Sequence, residues 1–264
     1  MLKVVDLSNN NFDANGVLNP NCETAYCEAD ALIMKATQGT YFVDKYCDKM
    51  VQRAIKDGKL WGFYHYAGGG NPIAEAVYFY NNCKNYFKHG IPVIDFEEAD
   101  NHSNWNNHNW VRQFVDKVHE LSGVWCMVYI QQSALAKVAN CANDCALWVA
   151  AYPTLTNNSW NVGFLIGGTA PWATYTLWQY TAANGCDRSM GNLTREGWNR
   201  IAGAVQSKPV ASKPAPAPVP QYREYVVRSG DTLSGVFGND WPRVAKLNNL
   251  PNPNLIYPGQ KLKY

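Results

Sequence analysis

Residues 91–98 read IPVIDFEE, an apolar run that leads directly into a cluster of carboxylates. The apolar start is typical of a buried strand, whereas charged side chains are rarely buried without partners. Successive side chains of a strand point to opposite faces, so Asp95 and Glu97 are predicted to face one cavity while Glu98 points elsewhere. Two carboxylates in one pocket cannot both ionise at low cost, and we therefore expect their pKa values to separate.

This acidic strand lies within a longer alternation of strand-like and helix-like segments. Strands are predicted at KVVDL (3–7), ALIMKA (31–36), LWGFYHY (60–66), IPVIDF (91–96), VWCMVYI (124–130), ALWVAAY (146–152) and TLWQYT (176–181). Apolar spacing and stop signals predict helices at 44–57, 71–87, 111–121 and 132–140. Such alternation predicts an α/β fold with a parallel sheet closed as a barrel, whose chemistry lies at the C-terminal ends of the strands.

Polar and aromatic side chains recur where these strands end. They are Asp6, Tyr64, His65, Tyr129, Trp148, Tyr152, Trp178, Gln179 and Tyr180, with Asp187 following the last strand. Each one alone is explained at least as well by packing, and a D-x-E pair is also common at solvated strand ends. Together with Asp95 and Glu97 they indicate a polar cleft with aromatic walls, which suits a sugar ligand.

Composition limits the possible functions of the chain. The 264 residues are 47% hydrophobic and 17% charged, which predicts a globular protein with room for one large domain or two unequal ones. A net charge of +2 argues against a general nucleic-acid-binding protein. The charge is uneven, since residues 206–264 hold eight Lys and Arg against three Asp and Glu. With no signal peptide visible and no apolar run long enough to span a bilayer, we expect cytoplasmic synthesis and no membrane insertion.

Eight cysteines all precede residue 187. Cys22 and Cys27, like Cys141 and Cys145, are close in sequence, and an even cysteine count is compatible with disulfides in an exported protein. A metal site is disfavoured because no histidine stands at ligand spacing beside either pair. Since cytoplasmic synthesis is expected, free and mostly buried thiols are favoured over disulfides, and no cofactor or metal is predicted.

A Pro- and Ala-rich stretch divides the chain. SKPVASKPAPAPVPQ (207–221) has few bulky apolar groups and is predicted to form an extended spacer. It separates a large acidic domain, residues 1–206, from a small basic module, residues 222–264. The opposite charge balance of these two parts suggests modules with different tasks.

The large domain resembles family 25 glycoside hydrolases, lysozymes that are common among phage endolysins and bacterial wall hydrolases. The resemblance is carried by VVDLSNNN, MKATQGT, GFYHYA, PVIDFEE, LWVAAY and LWQYT, which occur in this order within residues 3–205. It implies a flattened β/α barrel with fewer helices than the eightfold form. It also implies cleavage of the β-1,4 bond between N-acetylmuramic acid and N-acetylglucosamine in peptidoglycan.

The same resemblance assigns roles to the acids. Glu97 is the proton donor, its pKa raised by Asp95 and by partial burial; Asp95 is its partner and Asp6 a third cleft acid. A fourth acid falls on Asp187, although GCDRSMGNLTREGW (185–198) departs from the V-D-L-N-like segment of many members. Substrate contacts fall on Lys35, Tyr64, His65, Tyr129, Trp148, Tyr152 and Trp178. Two routes stay open, one assisted by the substrate N-acetyl group and one by inversion with an activated water.

The small module resembles LysM, a βααβ unit of α+β type that binds glycans containing N-acetylglucosamine. YVVRSGDTL (225–233) and NLIYPGQKL (254–262) carry this resemblance. By position, the glycan groove falls on Gly230, Asp231, Thr232, Leu233, Asn254, Leu255 and Ile256. Its basic charge favours an anionic wall, and its tether raises the local concentration of substrate at the barrel.

The sequence therefore predicts a modular, monomeric peptidoglycan hydrolase, a phage endolysin made in the host cytoplasm and active on the bacterial wall after release. One alternative is a chitinase or other N-acetylhexosaminidase, whose longer acidic motif has an Asp where this chain has Val93. The other is a non-catalytic wall-binding protein, which the intact set of acids disfavours.

Overall fold

The computed structural model describes residues 1–154, 156–204, 223–250 and 252–264. These residues form two compact units, one on each side of the gap at 205–222. The predicted spacer at 207–221 lies outside the described residues.

Eight strands of the first unit close into a barrel. They are β1 (Leu2–Leu7), β2 (Ala31–Gln38), β4 (Leu60–Tyr66), β5 (Ile91–Asp95), β6 (Met127–Gln131), β7 (Leu147–Ala150), β8 (Leu177–Thr181) and β9 (Asp187–Gly191), while the short β3 (Phe42–Val43) pairs with β2. Closure comes from β1, which pairs with both β2 and β9. The predicted barrel is confirmed.

One strand of the barrel, β9, was not predicted, and it departs from the parallel arrangement of the others. Strand β9 runs antiparallel to both of its neighbours, β1 and β8. A parallel neighbour needs a long crossover, whereas only five residues separate β8 from β9. The chain therefore turns back on itself at this point, and Asp187 comes to lie opposite Asp6 in the register of β1.

Side-chain alternation along β5 explains the sequence with which the acidic strand begins. Ile91 and Val93 belong to a small apolar cluster inside the barrel. Ile94 and Phe96 belong to the larger cluster between the sheet and the helices. Asp95 is the next inward-facing residue, at the point where the barrel opens, so a carboxyl group stands there in place of an apolar side chain.

In the described part of the first unit, four helices cover the outside of the barrel, and a fifth packs Trp198 against the apolar cluster inside it. They are α1 (Pro20–Glu28), α2 (Cys47–Lys56), α3 (Pro72–Cys83), α4 (Trp110–Ser122) and α5 (Arg195–Ile201), with 3-10 segments at Asn9–Asn11, Gln132–Cys141 and Ala183–Gly185. Helix α4 ends as predicted at Gly123, whose φ of +74° suits glycine. The helix predicted at 132–140 is a 3-10 segment instead. Helices α1 and α5, which are nine and seven residues long, were not predicted.

The second unit has the predicted βααβ order. Strands β10 (Glu224–Val226) and β11 (Lys261–Lys263) form an antiparallel pair, and α6 (Leu233–Phe237), a 3-10 turn (Gly238–Asp240) and α7 (Trp241–Leu247) lie between them in the chain. Its core is small and includes Val227, Leu233, Val244 and Leu262.

All eight cysteines are free, and seven of them are buried. The thiols are mostly buried, as expected, and Cys27 is the exposed exception. Among the helices of the described residues, none combines the length and apolar character that a membrane span requires.

Candidate active site

A cavity of about 180 Å³ opens at the C-terminal ends of the parallel strands. It brings together the four predicted acids, Asp6, Asp95, Glu97 and Asp187. The rest of its lining consists of Ser8, Asn10, Lys35, Tyr64, Tyr66, Tyr129, Trp148, Tyr152 and Gln179. A barrel places its chemistry at this end because every parallel strand delivers its last inward side chain to the same opening.

Gln179 organises one wall of the cavity. Its Nε2 donates to Asp6 Oδ1 at 3.2 Å and to Oδ2 at 3.1 Å. Its Oε1 accepts from the hydroxyl of Tyr129 at 2.7 Å and from that of Tyr152 at 2.6 Å. One buried amide thus fixes the carboxyl group of Asp6 and the direction of two tyrosine hydroxyls.

Asp6 and Asp187 form the first pair of acids. Burial raises the pKa of Asp6 well above its usual value, the charge of Asp187 raises it further, and donation from Gln179 acts against both. Burial, followed by the charge of Glu97, raises the pKa of Asp187 to about 6, while the nearby Arg188 lowers it. These two acids are therefore more readily protonated than exposed carboxyl groups.

Asp95 and Glu97 form the second pair. Burial and then the charge of Glu97 raise the pKa of Asp95 well above its usual range. Burial also raises the pKa of Glu97, but contact with Asp95 lowers it, so the prediction that Asp95 would raise it is wrong. Asp95 is the deeper group and holds the proton more tightly, which stabilises the carboxylate of its neighbour. The pair holds one proton in common.

Asp95 Oδ1 is a buried atom without a hydrogen-bond partner among the described residues. Buried polar atoms are nearly always paired, so an unpaired oxygen beside a cavity is an available contact for a ligand. A donor such as an amide N–H would satisfy it.

Lys35 is the cation in the described lining of this acidic cavity. Its Nζ donates to Gln38 Oε1 at 2.7 Å and lies 4.6 Å from the centre of the Tyr66 ring. Burial lowers the pKa of Lys35, and the charge of Asp95 opposes that shift. A positive charge here partly offsets the repulsion among four acids.

Two predicted substrate contacts are not placed in the cavity. His65 is fully buried, with Nδ1 2.8 Å from Thr37 Oγ1 and Nε2 2.9 Å from Glu75 Oε2. Strand alternation explains this, because Tyr64 and Tyr66 take the inward positions of β4 and His65 faces the helices. Trp178 is likewise packed outside the barrel, where its Nε1 donates to the Ala151 carbonyl at 2.7 Å.

Sequence reasoning missed several lining residues. Tyr66 lies two positions after Tyr64 on the inward face of β4, and strict alternation from Tyr64 would have found it. Gln179 was placed at a strand end but was not given a contact with the substrate. Ser8 and Asn10 lie after β1 in an irregular segment, where spacing carries no such signal.

The cavity continues into a longer groove along the ends of β6 and β7. A neighbouring pocket of about 300 Å³ shares Glu97, Tyr129 and Tyr152 with it. A third pocket, of about 430 Å³, continues past Tyr152 to Ile166 and is bordered by Trp178. Each pocket shares lining residues with the next one. The three therefore form one open channel, and the acids line one end of it.

No group of His, Cys, Asp and Glu suited to a metal ion occurs among the described residues. The four acids converge, and burial raises the pKa of each one.

The small domain has a separate pocket of about 320 Å³. Of the predicted groove residues, Thr232, Leu233, Asn254 and Ile256 line it, together with Ser234, Trp241 and Pro253. Gly230, Asp231 and Leu255 do not line it. Asp231 has a structural task, since its Oδ2 accepts from Tyr225 Oη at 2.8 Å and from the Arg228 amide at 2.7 Å. Thr232 is the N-cap of α6 and accepts from the Gly235 amide.

A β/α barrel whose open end joins paired carboxyl groups to an aromatic groove defines a glycoside hydrolase. Comparison with known proteins gives the family. Residues 13–187 match the profile of glycosyl hydrolases family 25, and residues 225–263 match that of the LysM domain. The first match covers more than half of the chain, which therefore belongs to glycosyl hydrolase family 25.

Solved structures agree with the family in fold. A muramidase from Acremonium alcalophilum is 25% identical, with a TM-score of 0.60 over 77% of this chain and 99% of its own. A family 25 glycosyl hydrolase from Bacillus anthracis is 20% identical, with a TM-score of 0.60 over 76% of this chain and 94% of its own. The catalytic domain of endolysin ply40, from bacteriophage P40 of Listeria monocytogenes, is 24% identical, with a TM-score of 0.55 over 77% and 98%.

A curated relative is similar over a much shorter stretch. The N-acetylmuramoyl-L-alanine amidase sle1 of Staphylococcus saprophyticus is 55% identical over 42 residues, which is 15% of this chain and 12% of that protein. The chain thus spans only a small part of the length of this relative.

Proposed function

We propose that this glycoside hydrolase is a lysozyme, which cleaves the β-1,4 bond between N-acetylmuramic acid and N-acetylglucosamine in peptidoglycan. The observation that carries the proposal is the Asp95–Glu97 pair, two carboxyl groups whose pKa values burial raises, at the junction of an acidic cavity and an open groove. A carboxyl group whose pKa is raised by burial, beside a channel wide enough for a glycan, is what protonation of a glycosidic oxygen needs.

Glu97 is the member of the pair that delivers the proton. It lines both the cavity and the adjoining groove, whereas Asp95 is buried at the end of β5 and does not line the adjoining pocket. The single proton of the pair passes through Glu97 to the glycosidic oxygen as the bond to the anomeric carbon breaks. Both groups are then carboxylates, and Asp95 faces the developing positive charge.

Asp95 is also placed to orient an N-acetyl group. Its unpaired Oδ1 suits the amide N–H of a sugar acetamido group. That contact favours the route in which the acetamido oxygen attacks the anomeric carbon. The inverting route instead assigns the activation of water to Asp6 or Asp187 across the cavity.

The groove and the second domain support a polymeric substrate. An open channel that begins at the acids and continues past Tyr152 has room for several sugar units of a glycan chain. The LysM domain supports attachment to N-acetylglucosamine-containing walls, and its tether to the barrel raises the local concentration of substrate. The positive charge of residues 206–264 favours an anionic wall.

The biological role that we propose is that of a phage endolysin, made in the host cytoplasm and released to the wall as a monomer. The likeness of the barrel to endolysin ply40 supports this role. Neither nucleic acid nor membrane insertion forms part of the proposal.

Turbidity of purified cell walls, followed by mass analysis of the fragments, tests the activity. We expect clearing of the suspension with new reducing ends on muramic acid. Reducing ends on glucosamine, or cut peptides, would contradict the muramidase proposal, and cleavage of chitin in place of walls would favour an N-acetylhexosaminidase.

Glu97→Gln tests the proton donor. We expect loss of nearly all wall clearing without loss of the fold, since the amide keeps the shape and removes the proton. The matched control is Glu98→Gln at the next, exposed position, which should retain activity. Near-normal turnover of Glu97→Gln would show that another group is the acid.

A further inference from the structure

Glu97 lies beyond the last residue of its strand. Strand β5 ends at Asp95, and the backbone of Phe96 makes one more contact, its amide donating to the Tyr129 carbonyl at 3.2 Å. The position of Glu97 therefore depends on the β5 loop, residues 96–109, and on what that loop contacts.

One fully buried side chain, that of Asn101, fixes the backbone at Glu97. Asn101 Nδ2 donates to the Glu97 carbonyl at 2.8 Å and to the Ala67 carbonyl at 3.1 Å. The backbone amide of Asn101 donates to the Glu98 carbonyl at 3.0 Å. We propose that Asn101 is a positioning residue for the proton donor, tying the backbone of Glu97 to the loop that follows β4. This inference rests on the proposed role of Glu97.

The loop after β4, to which Asn101 donates, is itself held by hydrogen bonds. The Ala67 amide donates to the Asp95 carbonyl at 2.9 Å, and Glu75 accepts from the amides of Gly68 at 2.8 Å and Gly70 at 2.7 Å. Glu75 is buried against His65, whose imidazole is itself held by Thr37. The buried histidine and glutamate thus fix the conformation of the β4 loop, residues 67–71, which accepts a hydrogen bond from Asn101.

Asn101 keeps this place at a cost in stability. Its Oδ1 is buried without a partner among the described residues, a situation that native proteins rarely retain. An amide is needed nevertheless, because a single Nδ2 group must donate to two carbonyls. Aspartate has the same shape but lacks those protons.

A second asparagine in the same loop provides a matched control. Asn104 Nδ2 donates to the Gly69 carbonyl at 2.7 Å, which also joins the β5 loop to the β4 loop. Asn104 makes no hydrogen bond to Glu97 within the described part of the chain. Loosening of the loops in general should therefore affect both asparagine variants, while misplacement of the proton donor should affect only the Asn101 variants.

The test compares Asn101→Ala, Asn101→Asp and Asn104→Ala in the full-length enzyme. Each is assayed on a soluble peptidoglycan glycan and on a glycoside with a dinitrophenol leaving group, which departs without a proton. For both Asn101 variants we expect kcat on the glycan to fall by about 100-fold, as for a donor misplaced by about 1 Å, with KM little changed. The loss on the dinitrophenyl substrate should be under about fivefold, because that step needs no general acid.

For Asn104→Ala we expect less than about threefold loss on either substrate, since the donor stays in place. Thermal unfolding of each variant measures the change in stability separately. Equal losses on the two substrates, equal losses for Asn101→Ala and Asn104→Ala, or normal kcat in Asn101→Asp would each overturn the inference. If Asn101→Ala does not fold, the isosteric Asn101→Asp decides the question.

Failure of this inference is distinct from failure of the proposed function. If wild-type enzyme does not cleave the glycan, or Glu97→Gln remains active, the proposed function is wrong. If both controls behave as expected and Asn101→Ala is normal, only the positioning role is wrong.

Discussion

Asp187→Asn is expected to stabilise the barrel at neutral pH. The pKa of Asp187 is about 6 in the folded chain against an ordinary value of 3.8, mainly because of burial and the charge of Glu97. Between these two pH values the folded state binds more protons than the unfolded state, so stability falls as pH rises. Above pH 6 the ionised carboxylate opposes folding, and below 3.8 its contribution disappears.

The size of the effect follows from this difference. A shift of about two pKa units corresponds to about 3 kcal/mol, and partial solvent contact makes that an upper bound. For a domain of this size, each kcal/mol changes Tm by about 2–4 °C, so the gain reaches up to about 10 °C. Activity should fall at the same time, because the variant removes an acid of the cleft.

Calorimetric unfolding of wild type and variant between pH 4 and pH 8 measures this prediction. The stabilisation should grow from near zero at pH 4 to its full value above pH 7. Glu98→Gln, which removes the same charge at an exposed position, should change Tm little across the range. A gain of equal size at pH 4 and pH 8, or no gain at pH 8, would refute the electrostatic reasoning.

Three further predictions concern other parts of the molecule. Gln179→Leu should lower the free energy of unfolding, measured in urea, by about 1–3 kcal/mol and raise the pKa of Asp6, because the variant leaves the Asp6 carboxyl group without its donor. Unchanged stability would contradict this. Thiol titration of the native protein should detect Cys27 alone, with the other seven reacting after unfolding; rapid reaction of several thiols would oppose the buried placement. Thr232→Ala should weaken co-sedimentation with walls, because Thr232 caps α6 and lines the pocket of the small domain; unaltered binding would exclude that pocket.

Periodicity predicted the parts of the fold that repeat. Strand β5 and helix α4 were found from alternation and from apolar spacing that stops at glycine, and each has about the expected bounds. Helices α1 and α5 are short, and the three buried residues of α1, Cys22, Ala25 and Tyr26, are too few to establish a repeating pattern. The reversed direction of β9 depended on the length of a loop that composition alone does not reveal.

The acids were easier to find than their surroundings. Asp6, Asp95, Glu97 and Asp187 converge because strand ends converge in any barrel, and that rule needs no coordinates. His65 was misplaced because two adjacent strand residues were assigned to one cavity, which alternation forbids. Asn101 could not have been found, since its contacts join two loops whose meeting is set by tertiary structure.

The antiparallel strand β9 also determines when the enzyme becomes active during its synthesis. Asp187 reaches Asp6 only when residues 187–191 pair with the first strand, so one acid of the cleft comes about 180 residues after the other. Such a long-range contact forms late, and a ribosome-bound chain that has not yet released β9 lacks both a closed barrel and its fourth acid. We therefore expect the nascent chain to be inactive until β9 is released, and a chain truncated before residue 187 to stay inactive.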